Sequence, residues 1–323
     1  MKTPRTSAIK RGFTLMELMV AMAITTIIVT VLVSITSIAL DTWNRSRAEL
    51  RASRQAKSMI DTMARDFESL VTRKGNTNEW LSAIIDPDLN SLGGTIKSEN
   101  ASRLVFFTAA TDRYNGNIGN ATFDKGGDVS CVAYQLAYRD PIDKSSSNFE
   151  TFVLNRVLVN PDNTFNDLLG KTDSTKPAAS LDKVFAASPY AANLAQPEYF
   201  VCENIFQFSM TFHVQVTDTA QTPPVQVDVP VTIGKKNTAQ TTESFTIQGT
   251  GIQTKLTGGT YTANQIAAGR VTAMEVSVTV ISDFGIDQLR TRFKTKAPTP
   301  EQLTELLGKN SYEYTKLVQI PTM

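Results

Sequence analysis

The sequence predicts an α+β protein in which a long N-terminal helix packs on an antiparallel β-sheet body with long loops. The helix is predicted by 23 uncharged residues from Leu18 to Leu40, followed by apolar residues at intervals of three or four as far as Leu70. The sheet is predicted by segments rich in branched and aromatic residues, in which apolar and polar side chains alternate. Polar loops separate these segments at 111–127, 139–148, 160–197 and 234–269.

Charge is distributed unevenly along the 323 residues. The net charge is +1, but the first twelve residues carry four bases, Lys2, Arg5, Lys10 and Arg11, and no acid. The remaining chain carries 28 bases against 31 acids, a net charge of −3. This balance argues against nucleic acid as a partner of the body.

The uncharged run is long enough to cross a lipid bilayer. A helix from Leu18 to Leu40 would measure about 35 Å, against a hydrocarbon core of about 30 Å. Because the basic residues precede the run, the N-terminus is expected in the cytoplasm and residues after about 41 on the far side. Several hydroxyl side chains within the run would help the helix to leave lipid for a helical bundle. They are Thr25, Thr26, Thr30, Ser34, Thr36 and Ser37.

The junction between the basic leader and the apolar run contains an isolated acid. Gly12 is followed by Phe13, Thr14, Leu15, Met16 and Glu17, and Glu17 is the only acid before Asp41. A carboxylate within a membrane is costly unless it has a partner, so it usually marks a function. No small-residue cleavage site follows the apolar run, so removal of the whole run as a secretory signal is not expected.

The string G-F-T-L-M-E, between a short basic leader and an apolar helix, resembles the class III signal of type IV pilins and of the pseudopilins of type II secretion. The resemblance implies that a prepilin peptidase cuts after Gly12 and that Phe13 becomes the methylated N-terminus. It also implies that Glu17 pairs with the N-terminal amine of a neighbouring subunit during assembly. Such a pair regains much of the cost of burying two charges and would fix the axial offset between subunits.

The helix is expected to continue beyond the membrane to about Arg73, where Gly75 and Asn76 would end it. The predicted organisation is therefore a leader at 1–12, a transmembrane helix at 13–40, an amphipathic helix at 41–74 and a β-rich body at 75–323. The apolar face of the amphipathic part is formed by Ala48, Ala52, Ala56, Met59, Met63, Phe67 and Leu70.

Seven strands and one further helix are predicted in the body. The strands lie at 103–109, 128–138, 150–159, 198–216, 225–233, 244–249 and 270–282. Alternation is clearest from Phe206 to Val216, as expected for a half-buried antiparallel strand. The helix would start at Thr299 and stop at Gly308. The segment 171–198 is expected to be a flexible insertion.

The order of these pieces is similar to that of the minor pseudopilin J class of type II secretion. This resemblance implies a structural subunit of a periplasmic pseudopilus, with other pseudopilins or pilins and an inner-membrane assembly platform as partners. The chain would be a single-pass inner-membrane protein with a periplasmic body. A subunit of a separate pseudopilin-like system, a minor type IV pilin in pilus initiation or adhesion, and a membrane-anchored hydrolase or sugar-binding module remain open alternatives.

The sequence offers little support for catalysis, a metal or a cofactor. The single histidine, His213, lies on the polar side of a strand, where a solvated side chain is expected. No nucleotide-binding glycine motif is present. The acids at Asp86 and Asp88, and at Asp124 and Asp128, lack EF-hand spacing and are expected in turns. A protein without enzymatic activity, cofactor or metal is therefore predicted.

The two cysteines, Cys131 and Cys202, leave two arrangements open. In an oxidising compartment they could form one disulfide across a long loop. Alternatively, they are two independently buried thiols. The sequence does not show their separation.

Overall fold

The computed structural model describes residues 14–86, 100–109, 128–142, 150–169, 180–218, 222–234, 241–258, 260–292 and 299–320. The chain divides into two compact units, residues 1–48 and residues 49–323. A single helix, α1 (Leu15–Glu68), contributes residues to both. The shorter helices are α2 (Pro161–Asn163, continued by the π-helical turn Thr164–Leu169), α3 (Leu181–Ala186), α4 (Tyr190–Leu194), α5 (Ala263–Ala267), α6 (Asp283–Arg292) and α7 (Pro300–Asn310).

The described residues of the second unit form an eleven-stranded sheet. Its strands are β1 (Glu79–Ile84), β2 (Arg103–Thr108), β3 (Ser130–Arg139), β4 (Thr151–Val159), β5 (Phe200–Cys202), β6 (Ile205–Asp218), β7 (Val225–Ile233), β8 (Thr241–Gln248), β9 (Gly251–Thr257), β10 (Arg270–Ile281) and β11 (Ser311–Gln319). The predicted α+β class, with a long N-terminal helix and an antiparallel-dominated sheet, is confirmed.

The strand order is β11-β10-β6-β7-β8-β1-β2-β3-β4-β5, with β9 also paired to β8. Neighbouring strands are antiparallel except β7 and β8, which run parallel and pair through Ile233 and Thr242. This short parallel pairing joins a C-terminal block of strands to the block that contains β1 to β5. Strands β1 to β4 form an antiparallel meander, although their connections are long: residues 85–102, 109–129 and 140–150.

The second half of α1 buries one face, as its periodicity predicts. The buried residues are Ala52, Ala56, Met59, Ile60, Met63, Ala64, Asp66 and Phe67. Small residues and flexible methionines let the helix lie close to the sheet. Phe67 stacks on Phe106 of β2 with ring centroids 4.1 Å apart. Full burial of such a side chain contributes about 1.5–3 kcal/mol.

The helix ends earlier than predicted, at Glu68 rather than near Arg73. The backbone N–H of Val71 donates to the carbonyl of Phe107 at 2.9 Å. The N–H of Ala109 donates to the carbonyl of Ser69 at 2.9 Å. Pairing with the chain at the end of β2 therefore replaces the last helical turn.

The strands β1 to β4 are covered on both faces. Leu104 and Phe106 face the cluster that contains α1, whereas Val105 and Phe107 belong to a second cluster. Phe185 of α3 is fully buried in that second cluster. Strands buried on both sides read as continuous apolar runs, which explains why RLVFFT does not alternate.

Several predictions for the body need correction. The segment 198–216 forms two strands, because Asn204 adopts φ 59° between β5 and β6. Part of the expected flexible insertion at 171–198 forms α3 and α4, and residues 171–179 lie outside the described part. Helix α7 starts at the predicted cap Thr299 but runs through Gly308 to Asn310, where the Asn310 side chain donates to the carbonyl of Leu306 at 3.0 Å.

Candidate assembly helix

The start of α1 is held by reciprocal hydrogen bonds between Thr14 and Glu17. The backbone N–H of Glu17 donates to Thr14 Oγ1 at 3.2 Å. Glu17 Oε2 accepts from the backbone N–H of Thr14 at 2.9 Å and from Thr14 Oγ1 at 3.0 Å. This is a capping box, which satisfies backbone donors that a helix start leaves unpaired. The T-x-x-E spacing before an apolar run is its sequence signal, and the sequence analysis did not use it.

The capping box leaves Glu17 able to accept further bonds. Both bonds from Thr14 end on one oxygen, Oε2, whereas an ionised carboxylate offers about four acceptor positions over two oxygens. Gly12 and Phe13 lie outside the described residues, so cleavage after Gly12 and methylation of Phe13 stay predictions. The structure therefore adds a local role for Glu17 to the intersubunit role expected from the sequence.

Helix α1 exposes its apolar side chains from the start of the helix to Arg47. Leu15 is 77% exposed and Ile38 is 66% exposed. By length and composition α1 can cross a membrane, and its most apolar stretch is entirely unburied. Contiguous apolar surface of this kind is rare in water and marks contact with lipid or other helices.

Five of the six hydroxyl side chains of this segment donate to carbonyls within α1. Thr26, Thr30 and Ser34 each donate to the carbonyl four residues earlier, at 2.8–2.9 Å. Thr25 and Thr36 make similar bonds to preceding carbonyls. Because a polar group in hydrocarbon must be bonded internally, these contacts make the segment compatible with lipid. These five hydroxyls therefore do not require a second helix.

One comparison with known proteins concerns the start of α1. Residues 8–33 match the family model described as the prokaryotic N-terminal methylation motif. The match includes the expected cleavage site, Glu17 and most of the apolar run. The matched residues thus extend into the exposed part of α1.

Comparisons over the whole chain are weaker. A type IV-like pilin from Thermus thermophilus matches 84% of this chain and 97% of its own, at 9% identity and a TM-score of 0.31. A likeness of this size carries no argument about the body. No curated protein sequence matches the chain.

Helix α1 is tied to the sheet by a buried ionic cluster at Asp66. Arg156 Nε donates to Asp66 Oδ2 at 2.7 Å, and Arg156 Nη2 donates to Asp66 Oδ1 at 2.8 Å. The hydroxyl of Tyr134 donates to Asp66 Oδ2 at 2.5 Å. The side chains of Asp66 and Arg156 are only 2% and 9% exposed. Burial, together with the Asp66 charge, raises the pKa of Tyr134 well above its ordinary value.

The contacts of this cluster indicate that it holds α1 against the sheet. In the part of the chain that the structure describes, the side chains of Asp66, Tyr134 and Arg156 bond to one another. The Thr108 hydroxyl donates to the backbone carbonyl of Asp66 at 2.9 Å. A bidentate arginine with a buried carboxylate is strong only while both partners are present. Sequence analysis missed Asp66, because its position within an amphipathic helix does not show which face buries a charge.

The strand register decides between the two arrangements that the sequence left open for the cysteines. On β3, Leu136 lies five residues after Cys131. Leu136 pairs with Leu154 of β4, and Leu154 pairs with Cys202 of β5. Strand spacings place the two cysteines about 19 Å apart, whereas a disulfide needs Cα atoms within about 7 Å. Both are free and buried, in different hydrophobic clusters. Burial raises the pKa of the Cys202 thiol to about 12.

His213 is paired rather than freely solvated. Its Nδ1 lies 2.8 Å from Asp228 Oδ2, and its side chain is 24% exposed. The register places His213 opposite Pro230, so Asp228 is a diagonal neighbour on β7. Within the described ranges, no group of three or more His, Cys, Asp or Glu side chains could hold a metal ion. Asp88 and Asp124 lie outside those ranges.

Proposed function

We propose that the chain is a structural subunit of a pilin-like filament, assembled by packing of α1 against the same helix of other subunits. The observation that carries the proposal is an exposed apolar helix that begins at Leu15, is capped by Thr14 and Glu17, and starts within a methylation motif. Its more specific form is a minor pseudopilin of a type II-like secretion system, with the body in the periplasm. The order of helix and strands along the chain supports this form.

Processing changes the charge at the start of α1. While the leader is present, four bases retain the N-terminus on the cytoplasmic side of the membrane. Cleavage after Gly12 replaces them with one ammonium group at Phe13. That group can enter the apolar interior of a filament if a carboxylate at the same depth neutralises it. Glu17 of an adjoining subunit supplies that carboxylate.

The body would then present the surfaces by which this subunit is distinguished from others. The cluster of Asp66 and Arg156 fixes the end of α1 to β3 and β4, so a force on the helix is transmitted to the sheet. A rigid body of this kind suits a subunit that is added to a filament as a unit. Its loops would select the partner subunits.

N-terminal mass spectrometry tests the proposal at its first step. The protein is isolated from cells that contain an active prepilin peptidase and from cells in which that peptidase is inactivated. A mature chain beginning at methylated Phe13 is expected only in the first case. An intact Met1 in both cells would refute the proposal.

Cross-linking in the first strain, followed by identification of the linked subunits, tests the specific form. Secretion pseudopilins as the linked partners support a pseudopilus subunit. Pilins as partners would replace that form with a minor type IV pilin while leaving the filament role in place.

A further inference from the structure

A tryptophan and two arginines, flanked by the acids Asp41 and Glu49, follow the apolar run of α1. Asp41 is the first charged residue after the run, and Trp43, Arg45 and Arg47 come next. All are exposed, and Trp43 is 64% exposed. Exposed tryptophan is uncommon in water but is enriched where a helix leaves a bilayer. We call Trp43, Arg45 and Arg47 the interfacial ring.

The interfacial ring surrounds the helix instead of lining one side. At 3.6 residues per turn, Trp43 and Arg47 lie on the same side, whereas Arg45 lies on nearly the opposite side. A protein partner on one side of a helix would be met by a stripe of residues. A ring fits a planar layer that the helix crosses.

The distances along α1 match a headgroup layer. A rise of 1.5 Å per residue places Trp43 about 4–5 Å beyond Leu40, Arg45 about 8 Å and Arg47 about 10 Å. The polar layer on each side of a bilayer is about 5–8 Å thick. Arginine side chains reach back toward such a layer, and the guanidinium group binds phosphate through two parallel bonds.

The same arithmetic places the other end of the span. Glu17 precedes Trp43 by 26 residues, which corresponds to about 39 Å of helix. A bilayer with both polar layers is about 40–45 Å thick. When Trp43 lies at one interface, Glu17 therefore lies at the opposite interface rather than in the hydrocarbon core, where a carboxylate would be costly.

We propose that the interfacial ring binds the phosphates of anionic phospholipids in the leaflet on the side of the body, and so fixes the depth of α1 before assembly. This depth keeps Glu17 hydrated until a partner amine is available. The proposal rests on the membrane-spanning part of the proposed function and is independent of the type of filament. The occupant is a phospholipid headgroup, with phosphatidylglycerol as the probe.

Tryptophan fluorescence gives a direct measurement of this depth. The chain contains two tryptophans, and Trp80 is buried at 3% exposure. In the Trp80→Phe variant of the full chain, Trp43 is the only emitter. The variant is reconstituted into vesicles whose lipids carry bromine either near the headgroup or near the chain ends. Quenching by the bromines near the headgroup is expected to be stronger.

Three results have different meanings. Stronger quenching by bromines near the chain ends overturns the proposed position of the interfacial ring. The absence of quenching, in a chain that remains in the vesicles after alkaline extraction, also overturns it. A chain that is removed from vesicles by alkaline extraction overturns the membrane span and with it the proposed function. Shallow quenching supports the ring.

Lipid preference tests the arginines. Brominated phosphatidylglycerol is compared with brominated phosphatidylcholine at equal mole fraction, and a local enrichment of up to roughly fivefold per arginine is expected. The double variant Arg45→Gln/Arg47→Gln should lose this preference.

The control Arg54→Gln/Lys57→Gln removes the same charge but begins seven residues after Arg47. That spacing is about 10 Å, a Debye length at moderate salt, so this control should retain the preference. Equal preference in both double variants would overturn the role of the arginines.

Discussion

Replacing Glu17 by glutamine separates the two roles of this side chain. Glu17→Gln keeps an oxygen that can accept from the backbone N–H of Thr14, because glutamine also serves in a capping box. It removes the negative charge that would pair with the amine of Phe13 in a neighbouring subunit. Thr14→Ala is the matched variant, since it removes the capping hydroxyl and keeps the charge. Glu17→Ala removes both.

The expected sizes of these effects differ enough to be distinguished. Loss of an N-terminal cap costs about 1 kcal/mol, roughly fivefold in an equilibrium constant. Removal of one member of a buried charge pair costs about 3–5 kcal/mol, because the other charge is left unpaired. Glu17→Gln and Glu17→Ala are therefore expected to reduce incorporation on the order of 100-fold or more. Thr14→Ala should reduce it no more than about tenfold.

The assay measures the fraction of subunit that is recovered in sheared or cross-linked filaments relative to the membrane pool. Immunoblotting of the membrane fraction confirms that each variant is inserted at the same level. N-terminal mass spectrometry confirms that each is processed. If Glu17→Gln assembles like the wild type while Thr14→Ala fails, the charge-pair reasoning is wrong and the helix start is what assembly requires.

The remaining predictions concern the body, measured by denaturation of the full chain in mild detergent. Asp66→Asn or Arg156→Met should each lower the free energy of unfolding by about 3–5 kcal/mol, and the pair Asp66→Leu/Arg156→Met should cost less than the two single changes together. Gly234→Ala should cost about 1–3 kcal/mol more than Gly75→Ala, since both have positive φ but only Gly234 would place a Cβ 2.5 Å from a backbone oxygen. The hydrogen bond from Lys316 of β11 lowers the pKa of Asp61. Asp61→Asn should therefore lower the free energy of unfolding by up to about 1 kcal/mol at neutral pH. This difference should vanish once the pH falls below the folded-state pKa of Asp61. Without reductant, iodoacetamide should label both cysteines only after denaturation; protection after denaturation would instead reveal a disulfide.

The sequence by itself determined the leader and the long N-terminal helix of this protein. The basic leader, the uncharged run, the isolated Glu17 and the buried face of α1 were all readable, because a helix is set by contacts three and four residues apart and by the solvent around it. The Thr14 cap was readable by the same rule, although the prediction did not include it. Strands with strong alternation, such as β6 and β10, were also found.

Only the tertiary structure decided how distant segments meet. Arg156 reaches Asp66 across 90 residues, and Lys316 reaches Asp61 across 255. The separation of the two cysteines follows from the registers of β3, β4 and β5. Pairing of distant strands and burial of a charge depend on the packing of the whole sheet, and local periodicity is the same whichever partner is chosen.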